Sequence, residues 1–143
     1  MKSFEELECW KKATVLRKKL SILIKAFPSE EKYRLCDQII RASRSVTANI
    51  AEGFGRFHYQ ENIQFCRQSR GSLYELIDHL IVARDENYIS DVTLTEYKKE
   101  IHECLAILNG FINYLGRAKS ESGSVKEPNE NYSMIEDQLT DSD

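Results

Sequence analysis

Apolar residues recur along most of the chain at spacings of three and four, the period of an amphipathic helix, and punctuation falls where helices end. The first periodic segment opens on Ser3-Phe4-Glu5-Glu6, a capping-box pattern in which the Ser3 side chain accepts from the Glu6 amide while Glu6 reaches back. Leu16, Leu20, Leu23 and Phe27 form its core face, and Pro28 stops it. The second starts near Ser29, with Glu30 and Glu31 against the positive end of the helix dipole. It continues through Leu35, Ile39, Val46 and Ile50 to Glu52, where Gly53-Phe54-Gly55 breaks it. The third covers Tyr59 to Tyr88. A second capping box, Thr93-Leu94-Thr95-Glu96, opens the fourth, whose apolar positions Leu94, Tyr97, Ile101, Cys104, Leu108, Phe111 and Leu115 alternate threes and fours without a slip.

Four helices of about 24 residues, each about 36 Å long at 1.5 Å per residue, predict an all-α fold: an antiparallel up-down four-helix bundle over residues 1–118. From Lys119 the periodicity dissolves into a polar, acidic stretch, so residues 119–143 are expected to form a disordered acidic tail.

The helices carry more apolar arc than a lone bundle needs. The first has Phe4, Val15, Ile22 and Ala26 nearly opposite its core face, the third extends from Phe65 and Leu76 round to Ile63, Ile81 and Tyr74, and Ile107 and Tyr114 widen the fourth. Scattered surface apolar residues are normal, but aligned second stripes on three helices favour burial in a homo-oligomer. Gly71, inside the third helix at a cost of about 1 kcal/mol relative to alanine, suggests close approach by another helix. Arg70, within the apolar arc, is expected to need a carboxylate if that face is buried. The predicted oligomer interface therefore comprises Phe4, Val15, Ile22, Ile63, Arg70, Gly71, Tyr74, Ile107 and Tyr114.

Charge sharpens this picture. The net charge of −3 conceals an excess of two positive charges over residues 1–118 and five negative ones over 119–143, so the low pI does not dismiss an anionic partner. With two prolines and six glycines in 143 residues, an all-β fold is nearly excluded. The longest uncharged run, Cys104 to Gly116, is too short for a membrane span, and the N-terminus lacks the apolar stretch of a signal peptide. Cys9, Cys36, Cys66 and Cys104 form no C-x-x-C pair and are expected to be buried free thiols, which points to the cytoplasm.

Catalytic chemistry finds little purchase. No Glu-x-x-His precedes His58, His79 or His102, so the di-metal pattern of helical bundles is missing and neither metal nor cofactor is expected. No G-x-S-x-G precedes a helix, and Gly53-Phe54-Gly55 follows no strand. Binding is better represented: Arg34, Arg41 and Arg44 fall opposite the core face of the second helix, and Arg56 follows the turn. Arginine offers a bidentate fork to phosphate oxygens, which makes these four the candidate nucleic-acid-binding residues. Asp37, four residues before Arg41, and Glu52 on the same side make a solvated face the competing explanation. Lys11, Lys12, Arg17, Lys18 and Lys19 are a second basic source on the first helix.

Several strings then bear on family. Phe4-Glu5-Glu6-Leu7-Glu8 with Trp10, Phe27-Pro28, Glu31-Lys32-Tyr33, Gln38-Ile39-Ile40-Arg41-Ala42, Asn49-Ile50-Ala51-Glu52-Gly53-Phe54-Gly55-Arg56, Arg70-Gly71-Ser72-Leu73-Tyr74-Glu75-Leu76 and Leu108-Asn109-Gly110 occur in order. Over residues 4–117 the chain resembles the four-helix-bundle family named for proteins encoded in intervening sequences of bacterial 23S rRNA genes, which includes accessory proteins of diversity-generating retroelements. The resemblance implies up-down protomers in a homopentameric ring with a basic surface for nucleic acid, no catalytic residues, and, in the retroelement branch, contact with a reverse transcriptase. Within those strings, Arg70 with Glu75 and Glu52 with Arg56 are also readable as structural ion pairs. Ser45-Val46-Thr47-Ala48-Asn49 lacks the proline that many members carry before this Asn, implying a straighter second helix. The expectation is thus a cytoplasmic, non-enzymatic homo-oligomer binding RNA or DNA, with a protein-interaction adaptor as the alternative.

Overall fold

The computed structural model describes residues 2–122, and the fold is all-α with four helices: α1 (Glu8–Leu23), α2 (Leu35–Phe54), α3 (Tyr59–Asp85) and α4 (Asp91–Ser122). Each helix packs against its two neighbours in chain order and α1 closes on α4, which leaves α1 and α3 on one diagonal. Interhelical contacts fix the directions. Ser69 Oγ donates to the Val46 carbonyl at 2.7 Å and Ser72 Oγ to Ser45 Oγ at 2.9 Å, so α3 descends as α2 rises. Arg70 to Asn109 and Lys119 to Gln60 do the same for α3 and α4.

Where the helices begin and end differs from the sequence pattern in instructive ways. The Ser3 box caps a short 3-10 turn, Phe4–Glu6: Ser3 Oγ accepts from the Glu5 amide at 3.1 Å, and Glu6 reaches the Lys2 amide. The backbone then extends at Leu7, whose side chain is fully buried, while Phe4 folds edge-on against Trp10 at 5.4 Å. One continuous helix would hold Phe4 and Leu7 on the same face; the break separates them. Before Pro28 the chain tightens into a 3-10 turn and extends at Phe27, as a residue preceding proline must. Ser29–Glu31 forms another such turn, and α2 starts later than predicted because Arg34 (φ −121°, ψ −102°) turns the chain to bury Leu35 and Cys36.

Gly53 does not break α2, which runs on to Phe54. A Cβ on Gly53 would meet Asn62 Oδ1 at 2.7 Å and Phe65 Cβ at 2.9 Å, so this glycine lets α2 cross the start of α3. Helix α3 ends in a Schellman motif: Asn87 takes φ 64°, its amide donates to Arg84 O at 2.9 Å, and the Tyr88 amide donates to Ala83 O at 2.8 Å. Ser90, not Thr93, caps α4, its Oγ accepting from the Thr93 amide at 3.1 Å. The boundary predicted at residue 118 falls inside α4, and the tail from residue 123 lies outside the described residues.

The core contains the predicted faces. Leu16, Leu20, Ile39, Val46, Ile50, Leu73, Leu80, Ile101, Leu108, Phe111 and Leu115 are all buried. The wide arc of α4 is consumed within the protomer, since Leu105, Ile112 and Tyr114 are buried too, and Tyr114 stacks on Phe111. Helix α2 is unbroken through Ser45–Asn49, with Asn49 Nδ2 donating to the Ser45 carbonyl at 2.8 Å.

Candidate nucleic-acid interface

The basic residues of α1 divide by the neighbour each one faces. Toward α4, Lys12 pairs with Glu103 at 2.8 Å and Lys19 with Glu100. The Glu103 hydrogen bond raises the pKa of Lys12, and Lys12 lowers that of Glu103. Lys11 pairs with Glu8 within its own helix at 3.3 Å. Toward α2 the compensation stops. Arg17 and Lys18 line a groove of about 430 Å³ with Ser21 and Ile22 of α1 and Ile40, Ser43 and Arg44 of α2, and among the described residues no carboxylate lines it.

Arg17 is held in place: its Nη1 donates to Thr47 Oγ1 at 2.7 Å, and Thr47 Oγ1 donates to the Arg44 carbonyl at 3.2 Å. This leaves other guanidinium donors for a ligand. Lys18 and Arg44 form no ion pair among the described residues and are exposed. Three adjacent cations with hydroxyls and an apolar wall can bind phosphate oxygens through charge-assisted hydrogen bonds.

Of the four arginines predicted from sequence, one stands in this groove. Arg44 is on its wall. Arg41 faces the other side of α2, pairs with Asp37 at 3.7 Å, and lines a separate depression with Gln38, Ser45, Ser72 and Glu75. Arg34 sits exposed at the start of α2, about 15 Å along the axis from Arg44 at 1.5 Å per residue. Arg56 is engaged by Glu52 at 3.2 Å and Glu61 at 3.7 Å and lies 5.0 Å over the Phe65 ring, so it braces the α2–α3 turn. The second member of the site, Arg17 with Lys18, was visible in sequence only as part of a basic run. The groove depends on which side of α1 meets α2, and that is a tertiary fact.

The predicted oligomer residues also divide. Val15, Ile22 and Tyr74 stand in solvent, 52%, 67% and 55% exposed. Ile63 and Tyr114 are buried within the protomer, and Ile63 also lines a depression between α3 and α4. Phe4 is spent on Trp10, and Ile107 is half-buried against the core. Arg70 donates to Asn109 Oδ1 at 3.0 Å instead of pairing with Glu75, which meets His79. Among the described residues nothing comes within 4 Å of a Cβ on Gly71, so none of the four helices explains that glycine.

The chain matches, over residues 5–110, the family described as 23S rRNA-intervening sequence protein. It belongs to that family. The match spans α1 to α3 and most of α4, and so includes both walls of the groove. No curated protein matches the chain. Cys9, Cys36, Cys66 and Cys104 of this family member are buried and form no disulfide, and burial pushes the Cys66 and Cys104 thiols up to about 12. Among the described residues no helix is long and apolar enough to cross a membrane.

Proposed function

We propose that this member of the 23S rRNA-intervening sequence protein family is a non-enzymatic, cytoplasmic homo-oligomer that binds nucleic acid through phosphate contacts in the α1/α2 groove. The observation that carries this reading is the uncompensated cluster of Arg17, Lys18 and Arg44, in a protein whose neighbouring lysines are neutralised across the α1–α4 seam. Contacts of this kind position a duplex or loop without reading its sequence.

Two outward faces on diagonal helices support the oligomer: Val15 on α1, and Tyr74 beside the open Gly71 on α3. When unlike faces on opposite sides of a protomer meet, the contact is heterologous and closes into a ring if the rotation permits. That geometry suits the homopentamer implied by the family resemblance, and a ring repeats the groove around its surface.

The test is Lys18→Ala/Arg44→Ala, two exposed positions outside the core, measured for affinity to a structured RNA and a duplex DNA with native mass as control. Loss of about tenfold or more at unchanged mass is expected, on the order of one kcal/mol per charged hydrogen bond removed. Unchanged affinity would hand the assignment to a protein adaptor, for example one contacting a reverse transcriptase, docking through exposed residues such as Tyr33 and Phe57.

A further inference from the structure

The α1/α2 groove combines two properties that set it apart from two other depressions lined by described residues, one between α3 and α4 and one beside Arg41. Among the described residues it is lined by three cations and no acid, and its apolar wall includes Ile22, exposed to solvent, beside half-buried Ile40. The depression between α3 and α4 has two arginines, Arg67 and Arg117, but also Glu121, and its Ile63 and Ile112 are already buried. The depression of Arg41 contains Glu75 and, among the described residues, no large apolar side chain. A ligand for the α1/α2 groove is therefore anionic and apolar together.

The same chain contains such a ligand. Residues 123–143 hold six carboxylates against one lysine, and their latter part sets Tyr132, Met134, Ile135 and Leu139 among Glu136, Asp137, Asp141 and Asp143. Tyr132, Ile135 and Leu139 follow the spacing of three and four by which helical anchors enter a groove. Reach is sufficient. Lys119 meets Gln60 on the first turn of α3, so α4 ends at the end of the bundle where α2 finishes, and Arg44 lies ten residues, about 15 Å, back from Phe54. With neighbouring helix axes about 10 Å apart, the path from Ser122 round to the groove is about 30 Å. The twelve residues before Ile135 span about 40 Å when extended.

We propose that the segment Tyr132–Asp143 docks in the α1/α2 groove of its own chain, its carboxylates on Arg17, Lys18 and Arg44 and its apolar residues on Ile22 and Ile40, and so competes with nucleic acid. The competition rests on the phosphate reading above; the docking does not. A segment tethered this way has an effective concentration of about 1 mM, so a weak site of about 0.1 mM leaves roughly one groove in ten open. Apparent nucleic-acid affinity then falls about tenfold.

The test uses the full chain and two variants. Met134→Ser/Ile135→Ser/Leu139→Ser keeps every charge and removes the apolar anchors; Glu136→Gln/Asp137→Asn/Asp141→Asn removes charge and keeps the anchors. The readout independent of nucleic acid is the acetylation rate of Lys18 by an amine-reactive ester, followed by mass spectrometry against Lys25. Docking predicts that Lys18 reacts about tenfold faster in both variants, by the same open fraction, and that affinity for a structured RNA rises in parallel. Equal Lys18 rates in the wild type and the apolar-anchor variant overturn the proposal. An effect confined to the charge variant also overturns it, because that is diffuse screening without a site. Lys18 protection with no RNA binding by any form removes the phosphate reading and leaves the docking standing.

Discussion

Two glycines in helical positions make opposite predictions. Gly53 lies where α2 crosses α3, and a methyl group there would sit 2.7 Å from Asn62 Oδ1, 2.9 Å from Phe65 Cβ and 3.1 Å from the Asn62 carbonyl. Asn62 is buried and its Oδ1 accepts from the Cys66 thiol, while Phe65 Cβ and the Asn62 carbonyl are tied to the backbone of α3. Relief therefore requires the helices to part. Overpacking costs about 1–3 kcal/mol, and contacts tied to the backbone of α3 put this site in the upper part of that range, about 2–3 kcal/mol; alanine recovers about 1 kcal/mol in helix propensity. Gly53→Ala is expected to destabilise by about 1–2 kcal/mol, a fall in Tm of about 2–8 °C for a domain of this size. Gly71→Ala meets nothing within 4 Å among the described residues. In a lone protomer it would stabilise by about 0.4–1 kcal/mol through the unfolded chain, whereas in the proposed oligomer the added methyl group meets a neighbour's helix. Urea unfolding at one fixed protomer concentration, with native mass spectrometry alongside, reads both. A Gly53→Ala chain as stable as wild type would refute the close crossing. For Gly71→Ala, stabilisation with unchanged mass removes that glycine from the subunit contact, whereas loss of the oligomer places a neighbour's helix against it.

Two further predictions concern pH and thiols. The Lys12–Glu103 pair holds Glu103 below its usual 4.5 and Lys12 above its usual 10.5. Its contribution is therefore complete between those values, lost as pH falls through the lowered Glu103 pKa, and lost as pH rises through the raised Lys12 pKa. With both side chains more than a third exposed, it is worth about 0.5 kcal/mol; Glu103→Gln should cost that much at pH 7 and nothing at pH 2 in urea titrations. All four cysteines are buried, with Cys66 and Cys104 pushed up to about 12, so the native chain should react slowly with a thiol reagent at pH 8 and release four equivalents in urea. A fast stoichiometric thiol in the native state would contradict the burial.

The bundle was legible because long helices announce their buried face through spacing alone, and the heptad from Leu94 to Leu115 is the core of α4. Helix starts were not, because a capping box describes local hydrogen bonding. Whether Ser3 or Ser90 opens the long helix is settled by the burial of Leu7 and by the Schellman turn at Asn87. Gly53 was readable as a special position but not as a crossing, since its neighbours Asn62 and Phe65 come from the next helix. Spacing alone does not separate burial by a partner from burial within the protomer: Tyr114 and Ile63, on the wide arcs of α4 and α3, are buried against the protomer's own core. The arginine stripe on α2 was correctly placed on an outward face. Which of its members remain uncompensated depends on Asp37, Glu52 and Glu61, and on the side of α1 that brings Arg17 and Lys18 up to Arg44.

The central claim is that Lys18 and Arg44 meet phosphate, and the most direct test is the salt dependence of binding to a structured RNA for the wild type and Lys18→Ala/Arg44→Ala. Each phosphate contact removed reduces the slope of log affinity against log salt by about 0.7–0.9, so the variant should be shallower by about 1.5 for each protomer that engages the RNA. Identical slopes and affinities, with both proteins folded and of equal mass, would contradict the account.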